Sequence, residues 1–197
     1  LNEDGISSEY FRIGFDERVL SKFKTTKRDI DFSFVGGISK HHNRAYKTIE
    51  YLSKKSNLEI YGYGKEKLPI ISAIRKKHKG EKWGLEMFEI LLRTKISFNR
   101  HINVAENYAN NMRLYEATGM GSLLLTDKKD NLENLFEIDK EIITYTSKEE
   151  ALEKYEFFIR NPIEASKIAH AGQTRTLKEH TYEIRMQELK EILEKYL

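Results

Sequence analysis

From Lys27 onward, short apolar runs exchange with stretches whose apolar positions recur at three- and four-residue spacing, the pattern of strands and helices laid down in turn. In Asp29 to Gly37, Ile30, Phe32 and Phe34 alternate with Asp31, Ser33 and Val35, and Gly36-Gly37 ends the run: a strand leaving through a tight turn. Asn43 to Lys55 places Ala45, Ile49 and Leu52 at helical spacing, and Leu58 to Gly64 is a second strand closed by glycines, completing a β-turn-α-β unit. Leu68 to Lys79 predicts a helix with Pro69 in its first turn, and Gly84 precedes another carrying Leu85, Phe88, Leu91 and Leu92. There follow a strand over Lys95 to Asn99, a helix over Asn111 to Thr118, a strand over Gly121 to Thr126, a short helix over Leu132 to Phe136 and a last strand over Glu141 to Tyr145. Ser147 with Glu150 three residues on makes a capping box, and Asn161 caps a helix with Pro162 at its first position. The tail, Thr181 to Leu197, puts Ile184, Leu189, Ile192 and Leu193 roughly on one stripe. The fold class this predicts is α/β: a doubly wound, Rossmann-like parallel sheet of five strands with a long C-terminal helix.

Composition narrows the function. The 197 residues suffice for one domain with a real core. Charge is balanced, 34 Lys+Arg against 31 Asp+Glu, and the formal +3 is spread along the chain. With no Arg/Lys-rich arm and no zinc-finger spacing, no nucleic-acid partner is expected. Cysteine is absent, which removes disulfides and thiolate metal sites and fits a reducing cytosol. No apolar run reaches the ~20 residues of a transmembrane span, so a cytoplasmic protein, at most peripheral to a membrane, is expected. The first residue is Leu1, and its mixed opening segment suggests a part of a longer chain.

An open parallel sheet places its ligand beyond the carboxyl ends of its strands, so the residues there are the candidates. After the first strand come Gly36, Gly37, Lys40 and Arg44, a turn that lets backbone approach a ligand, followed by cations beside a helix N-terminus. A glycine-rich turn of this kind also occurs without any ligand; neither G-x-G-x-x-G nor a P-loop is present. Asn111 caps the later helix, with Arg113 in the first turn and Glu116 one turn along. A cation is disfavoured at a helix N-terminus unless an anion is near. The pair therefore fits either a surface ion pair at i, i+3, weak in energy, or a site in which Glu116 accepts two hydroxyls of a ribose. His101 lies just beyond a strand end, where it and Asn99 reach the same crevice or sit idle in a loop. Trp83 reads as core rather than as a base-stacking ring, and His180, Tyr182 and Arg185 read as packing and capping. Asp29-x-Asp31 resembles a metal motif but enters its strand instead of leaving it. The histidines lack metal-ligand spacing, so no metal is expected.

Three pieces in order, the N-x-R-x-x-E-x-x-x-x-G core from Asn111 to Gly121, the acidic opening Asp139 to Tyr145, and Ala171 to Arg185, resemble the C-terminal half of GT-B glycosyltransferases. Among these the chain is most similar to the CgeB-like, spore maturation protein-like group, and the resemblance runs from about Asp29 to the end. It implies a domain that binds the nucleotide part of an NDP-sugar donor, with no further cofactor. In that likeness Gly36 and Gly37 face the diphosphate, Glu116 holds the ribose, and Asn111 and Arg113 lie beside the sugar-phosphate; Lys40, Arg44 and His101, from their places at the strand ends, complete the expected donor site. Segment 1–28 is then an interdomain linker or a remnant of the N-terminal domain, the stretch Phe11 to Asp16 resembling the linker. Segment 29–180 is the nucleotide-sugar domain, and 181–197 a helix packing back on it. The acceptor, a glycan or glycoconjugate, would meet a missing N-terminal domain. A first glutamate eight residues before Glu116 is absent, since Tyr108 stands there. The alternative is a non-catalytic GT-B-like module that binds nucleotide, carbohydrate or a partner.

Overall fold

The structure, a computed structural model, describes residues 5, 8–24, 27–38, 43–102 and 106–197, the side chains of 43–45 excepted. Its centre is a five-stranded sheet in the order β2-β1-β3-β4-β5, with every neighbouring pair parallel. The strands are β1 (Ile30–Val35), β2 (Glu59–Tyr61), β3 (Thr94–Phe98), β4 (Leu123–Asp127) and β5 (Ile143–Tyr145). The helices are α1 (Asn43–Lys55), α2 (Ala73–Lys77), α3 (Gly84–Arg93), α4 (Met112–Gly119), α5 (Lys148–Arg160), α6 (Pro162–Glu179) and α7 (Tyr182–Glu194). From β1 the chain moves outward through α1 to β2, then returns across β1 to build β3, β4 and β5 on its other side. The point where that direction reverses lies between β1 and β3, and helix starts converge at the carboxyl ends there.

Each face of the sheet is covered, as a parallel sheet requires. On one side Phe32, Phe34, Ile96, Phe98, Leu123 and Leu125 pack beneath α1, α5 and the first half of α6. On the other, Val35 and Leu124 meet Leu91 of α3 and Leu114 and Ala117 of α4. Helix α6 also reaches α4, where Thr176 Oγ1 lies 2.6 Å from Thr118 Oγ1 and Gln173 donates to the Gly119 carbonyl at 2.8 Å. A Cβ at Gly172 would fall 2.3 Å from the Glu141 carbonyl oxygen, which explains a glycine inside this helix.

Two expectations need correction. The helix expected over Leu68 to Lys79 is confined to α2, because Glu50 on α1 sets its start: its carboxylate accepts the amides of Ala73 (2.9 Å) and Ile74 (3.2 Å) and the Ser72 hydroxyl (2.7 Å). Before that point Pro69 lies in a turn closed by the Ser72 amide, and Ile70 and Ile71 are exposed. The tail helix does form, with Thr181 as its side-chain cap, but its expected apolar stripe is a minor anchor. Ile184, Leu189 and Ile192 are only half-buried and Leu193 is exposed, whereas Arg185 is fully buried.

The segment before β1 is packed against this tail. The Phe15 amide donates to the His180 carbonyl (2.8 Å) and the Tyr182 amide to the Phe15 carbonyl (3.0 Å), while the Phe15 ring fills the space over Gly119, where a Cβ would come within 2.6 Å of it.

Candidate functional site

At the exit of β1 the backbone is clasped by the loop after β2. The Gly36 amide donates to the Tyr61 carbonyl and the Ile38 amide to the Tyr63 carbonyl, both at 2.9 Å. The close approach rests on glycines of that second loop. Gly62 and Gly64 adopt φ of +130° and +99°, and a Cβ on either would fall 2.2 Å from the Gly36 carbonyl oxygen or 1.9 Å from that of Ile38. Gly64→Ala is therefore expected to lose about 2 kcal/mol or more in urea unfolding, since a side chain is strained at that φ and collides with backbone. At Gly37 a Cβ would sit 2.4 Å from the end of the exposed Tyr63 ring, which would have to turn aside. Of the other residues predicted here, Lys40 lies outside the described residues. Arg44 falls on α1, with its side chain outside them too.

Across the switch point stands the start of α4. Asn111 caps it with its carboxamide oxygen on the Leu114 amide (3.2 Å) and exchanges amide hydrogen bonds with Asn99 at 3.1 and 3.3 Å. Asn99 also donates to Thr126 Oγ1 (3.0 Å), and its carbonyl accepts the Tyr145 hydroxyl (3.1 Å). The ends of β3, β4 and β5 are thereby tied to the helix start.

Arg113 and Glu116 do form the i, i+3 ion pair, but it is buried rather than at the surface. Their side chains are 16% and 7% exposed, the guanidinium Nη1 lies 2.8 Å from Glu116 Oε2, and Nε donates to the Val35 carbonyl at the end of β1 (3.1 Å). Burial pushes the Arg113 pKa down and that of Glu116 up, each opposed by the charge of the other. Arg113 can stand in the first turn of α4 because a carboxylate beside it and a strand-end carbonyl offset its charge there.

His101 is as deeply placed. Its backbone amide (2.9 Å) and Nδ1 (2.8 Å) both bond Asp127 Oδ1, while Nε2 is buried without a partner among the described residues. Burial alone would raise the Asp127 pKa. The hydrogen bonds that His101 donates, with the Lys129 ammonium 3.5 Å away, outweigh it and hold the carboxyl low. A carboxylate on Nδ1 fixes the proton there, so the neutral ring offers its Nε2 lone pair to a donor group. The sequence reasoning did not pick out Asp127. It ends a strand at its carboxyl edge, the same signal that marked His101.

Trp83 is 60% exposed and stacks on Tyr63, with ring centroids 5.9 Å apart and planes 10° from parallel. The core reading fails because Gly84, at φ +53°, turns the chain so that Ile90, Leu91 and Leu92 of α3 face inward while Trp83 remains outside beside the Gly36-Gly37 turn. Asp29 and Asp31, at the opposite end of β1, pair with Arg93 and Lys95. His180 and Arg185 do pack, as expected. Among the described residues no cluster of three His, Asp or Glu has metal-site geometry, and no helix is long and apolar enough to cross a membrane.

A family model described as glycosyl transferase-like matches residues 19–191. Among solved structures, Anabaena HepE in complex with UDP and glucose aligns with 93% of this chain and 56% of its own, at 13% identity and a TM-score of 0.69. Sucrose-phosphate synthase from Thermosynechococcus elongatus aligns with 93% of this chain and 51% of its own, at 9% identity and a TM-score of 0.67. The C-terminal domain of the Francisella tularensis glycosyl transferase group 1 protein LpcC aligns over 85% of this chain and 99% of that domain, at 13% identity and a TM-score of 0.61. The chain thus spans about half the length of HepE and of the synthase. No curated protein sequence matches it.

Proposed function

The chain belongs to the glycosyl transferase-like family, and from that premise we propose that it is the donor-binding half of a GT-B glycosyltransferase of the CgeB-like group. It takes a sugar from a nucleoside diphosphate to an acceptor hydroxyl of a glycan, glycoconjugate or protein. The observation that carries this is the buried Arg113–Glu116 pair beside the capped start of α4, at the crevice between β1 and β3. A parallel sheet of this winding binds nucleotides there.

In this reading the Glu116 carboxylate accepts the ribose diol. The diphosphate meets the first amides of α4, of which Asn111 occupies only that of Leu114, together with Arg113 and the cations Lys40 and Arg44. Charge that develops on the leaving diphosphate finds donors already in place, an electrostatic preorganisation of the oxyanion-hole kind, with neither metal nor further cofactor required. The unpartnered Nε2 of His101 accepts a hydroxyl of the donor. Segment 1–28 links to an acceptor-binding domain, 29–180 holds the donor and 181–197 packs back on it, in the cytoplasm or at the inner surface of a membrane. HepE has been seen with UDP and glucose, which makes UDP the first nucleotide to test.

Calorimetric titration of the chain with UDP, GDP, ADP and CMP is expected to show saturable binding of one nucleoside diphosphate. A folded chain that binds none of the four would leave the GT-B fold to a non-catalytic role. Fluorescence gives an independent check, because Trp83 is the one tryptophan of the chain. With the base laid on the exposed Tyr63–Trp83 pair, emission is expected to be quenched by the nucleotide, unchanged by glucose, and silent to both in Trp83→Phe.

A further inference from the structure

The carboxyl ends of β4 and β5 carry a second concentration of charge, on the side where α1 and α5 rise and away from α4. An open cleft of about 490 Å³ there is lined by Lys47, Arg100, Lys128, Lys129 and Lys148, with Ser147, the cap of α5, beside them. The one carboxylate in the lining is Asp127, and it is already engaged by His101 and Lys129. Glu150, in the first turn of α5, is turned onto Thr146 and Lys154, and Glu149 lies 3.7 Å from the Lys148 ammonium. The Lys128 and Lys47 side chains have neither an ion pair nor a hydrogen bond among the described residues. Five cations gathered in one cleft repel one another, and the local contacts of Lys129 with the Glu106 carbonyl, Arg100 with the Thr48 hydroxyl and Lys148 with the face of Tyr51 leave Lys47 and Lys128 to be balanced.

We propose that this cleft binds a phosphoryl group carried by the acceptor. Lysine ammonium groups and an arginine fork suit phosphate oxygens, and the Ser147 hydroxyl, which accepts the Glu150 amide at 3.1 Å, keeps its own proton free to donate. The cleft is not the place of the donor diphosphate. The part of the cleft formed by Lys128 and Lys148, at the gap between β4 and β5, stands two strand spacings from the gap between β1 and β3, roughly 10 Å at the usual interstrand distance, while Arg100 and Lys47 line its nearer side. That separation keeps the two anions apart, yet Asp127 joins the sites, lining the cleft while its Oδ1 holds His101 at the donor crevice. The acceptor assignment rests on the donor reading of the α4 crevice, and the test treats the two separately.

The probes are inorganic phosphate and glycerol 3-phosphate, titrated into the chain with and without saturating UDP, alongside UDP alone. The variant is Lys128→Gln/Lys148→Gln, with its thermal melt compared to the wild type to establish that it folds. Glycerol 3-phosphate is expected to bind in the presence of UDP, about tenfold more weakly in the variant and more weakly at high salt, while UDP affinity is unchanged. Flotation with phosphatidylglycerol vesicles against phosphatidylcholine vesicles identifies the source. Cleft-dependent retention on the anionic vesicles assigns the phosphoryl group to a lipid, and its absence beside ester binding assigns it to a soluble acceptor. The proposal is overturned if a chain that binds UDP binds neither phosphate probe, or if the esters compete with UDP and the variant loses UDP as well, which would make the cleft part of the donor site. Ester binding by a chain that binds no nucleotide would overturn the acceptor role together with the donor reading, and the UDP titration alone reveals that case.

Discussion

Glu116→Ala is expected to lose nucleotide binding and, separately, about 3–5 kcal/mol of folding stability. The stability term comes from what remains behind. The Arg113 guanidinium, largely buried, would keep its bond to the Val35 carbonyl and its contact with Met87 but no counter-charge. Breaking one partner of a buried pair is far more costly than replacing both, so Arg113→Met/Glu116→Ala is expected to recover most of the loss in urea unfolding. Binding follows a different course. If the carboxylate holds the ribose, the double variant folds well and still fails to bind UDP by calorimetry. Loss of UDP binding in a double variant that folds therefore assigns a ligand role to the Arg113–Glu116 pair as a unit, ribose and diphosphate contacts together, apart from its structural role. UDP affinity preserved in a stable double variant would remove Glu116 from the donor site.

Where the chain's own local pattern decides, the sequence is a reliable guide. The apolar spacing of Ala45, Ile49 and Leu52 predicts a helix over the residues that form α1, and the cap chemistry of Asn111 places the start of α4. All five strands fall within one residue of their predicted runs, β3 beginning one residue before its run and β4 ending one residue after, and the sheet is the parallel, doubly wound one expected. What local pattern could not reveal depends on partners distant in the chain. Glu50, 22 residues before Ser72, starts α2 late. Asp127, 26 residues after His101, turns a loop histidine into a buried, oriented ring. The i, i+3 spacing of Arg113 and Glu116 reads the same on a surface helix as on a buried one. Partners distant in the chain, the Val35 carbonyl 78 residues away and Met87, distinguish them.

The tail carries the second large effect: local pattern reads Arg185 as packing and capping, but not the partners it takes from the segment before β1. Arg185 is fully buried. Its Nε bonds the Ile13 carbonyl at 3.1 Å, its Nη2 lies 2.5 Å from His180 Nδ1, and its Nη1 pairs with Glu188 at 2.7 Å. Arg185→Ala would leave a buried carbonyl and a buried imidazole nitrogen without partners. A loss of about 3–5 kcal/mol is expected, with faster proteolysis of the segment before β1 that Phe15 and Ile13 hold against α7. The same cluster sets a pH dependence of known sign. Burial, assisted by the charges of Arg185, Arg12 and Arg175, pulls the His180 pKa to about 4, against a hydrogen bond to the Leu135 carbonyl that favours the charged form. The unfolded chain takes up that proton near pH 6.5 and the folded chain does not, so this contribution is complete above 6.5 and is lost as pH falls toward 4. Its full span is roughly 3 kcal/mol. Glu116, whose pKa burial raises, works in the opposite direction as pH falls, so the wild-type slope alone is a sum. The difference between wild type and His180→Gln in urea unfolding at pH 7.5 and 4.5 isolates the histidine. The variant should lose less stability on acidification by roughly 2 kcal/mol, and equal losses would mean that His180 takes up its proton in the folded chain as it does in the unfolded one.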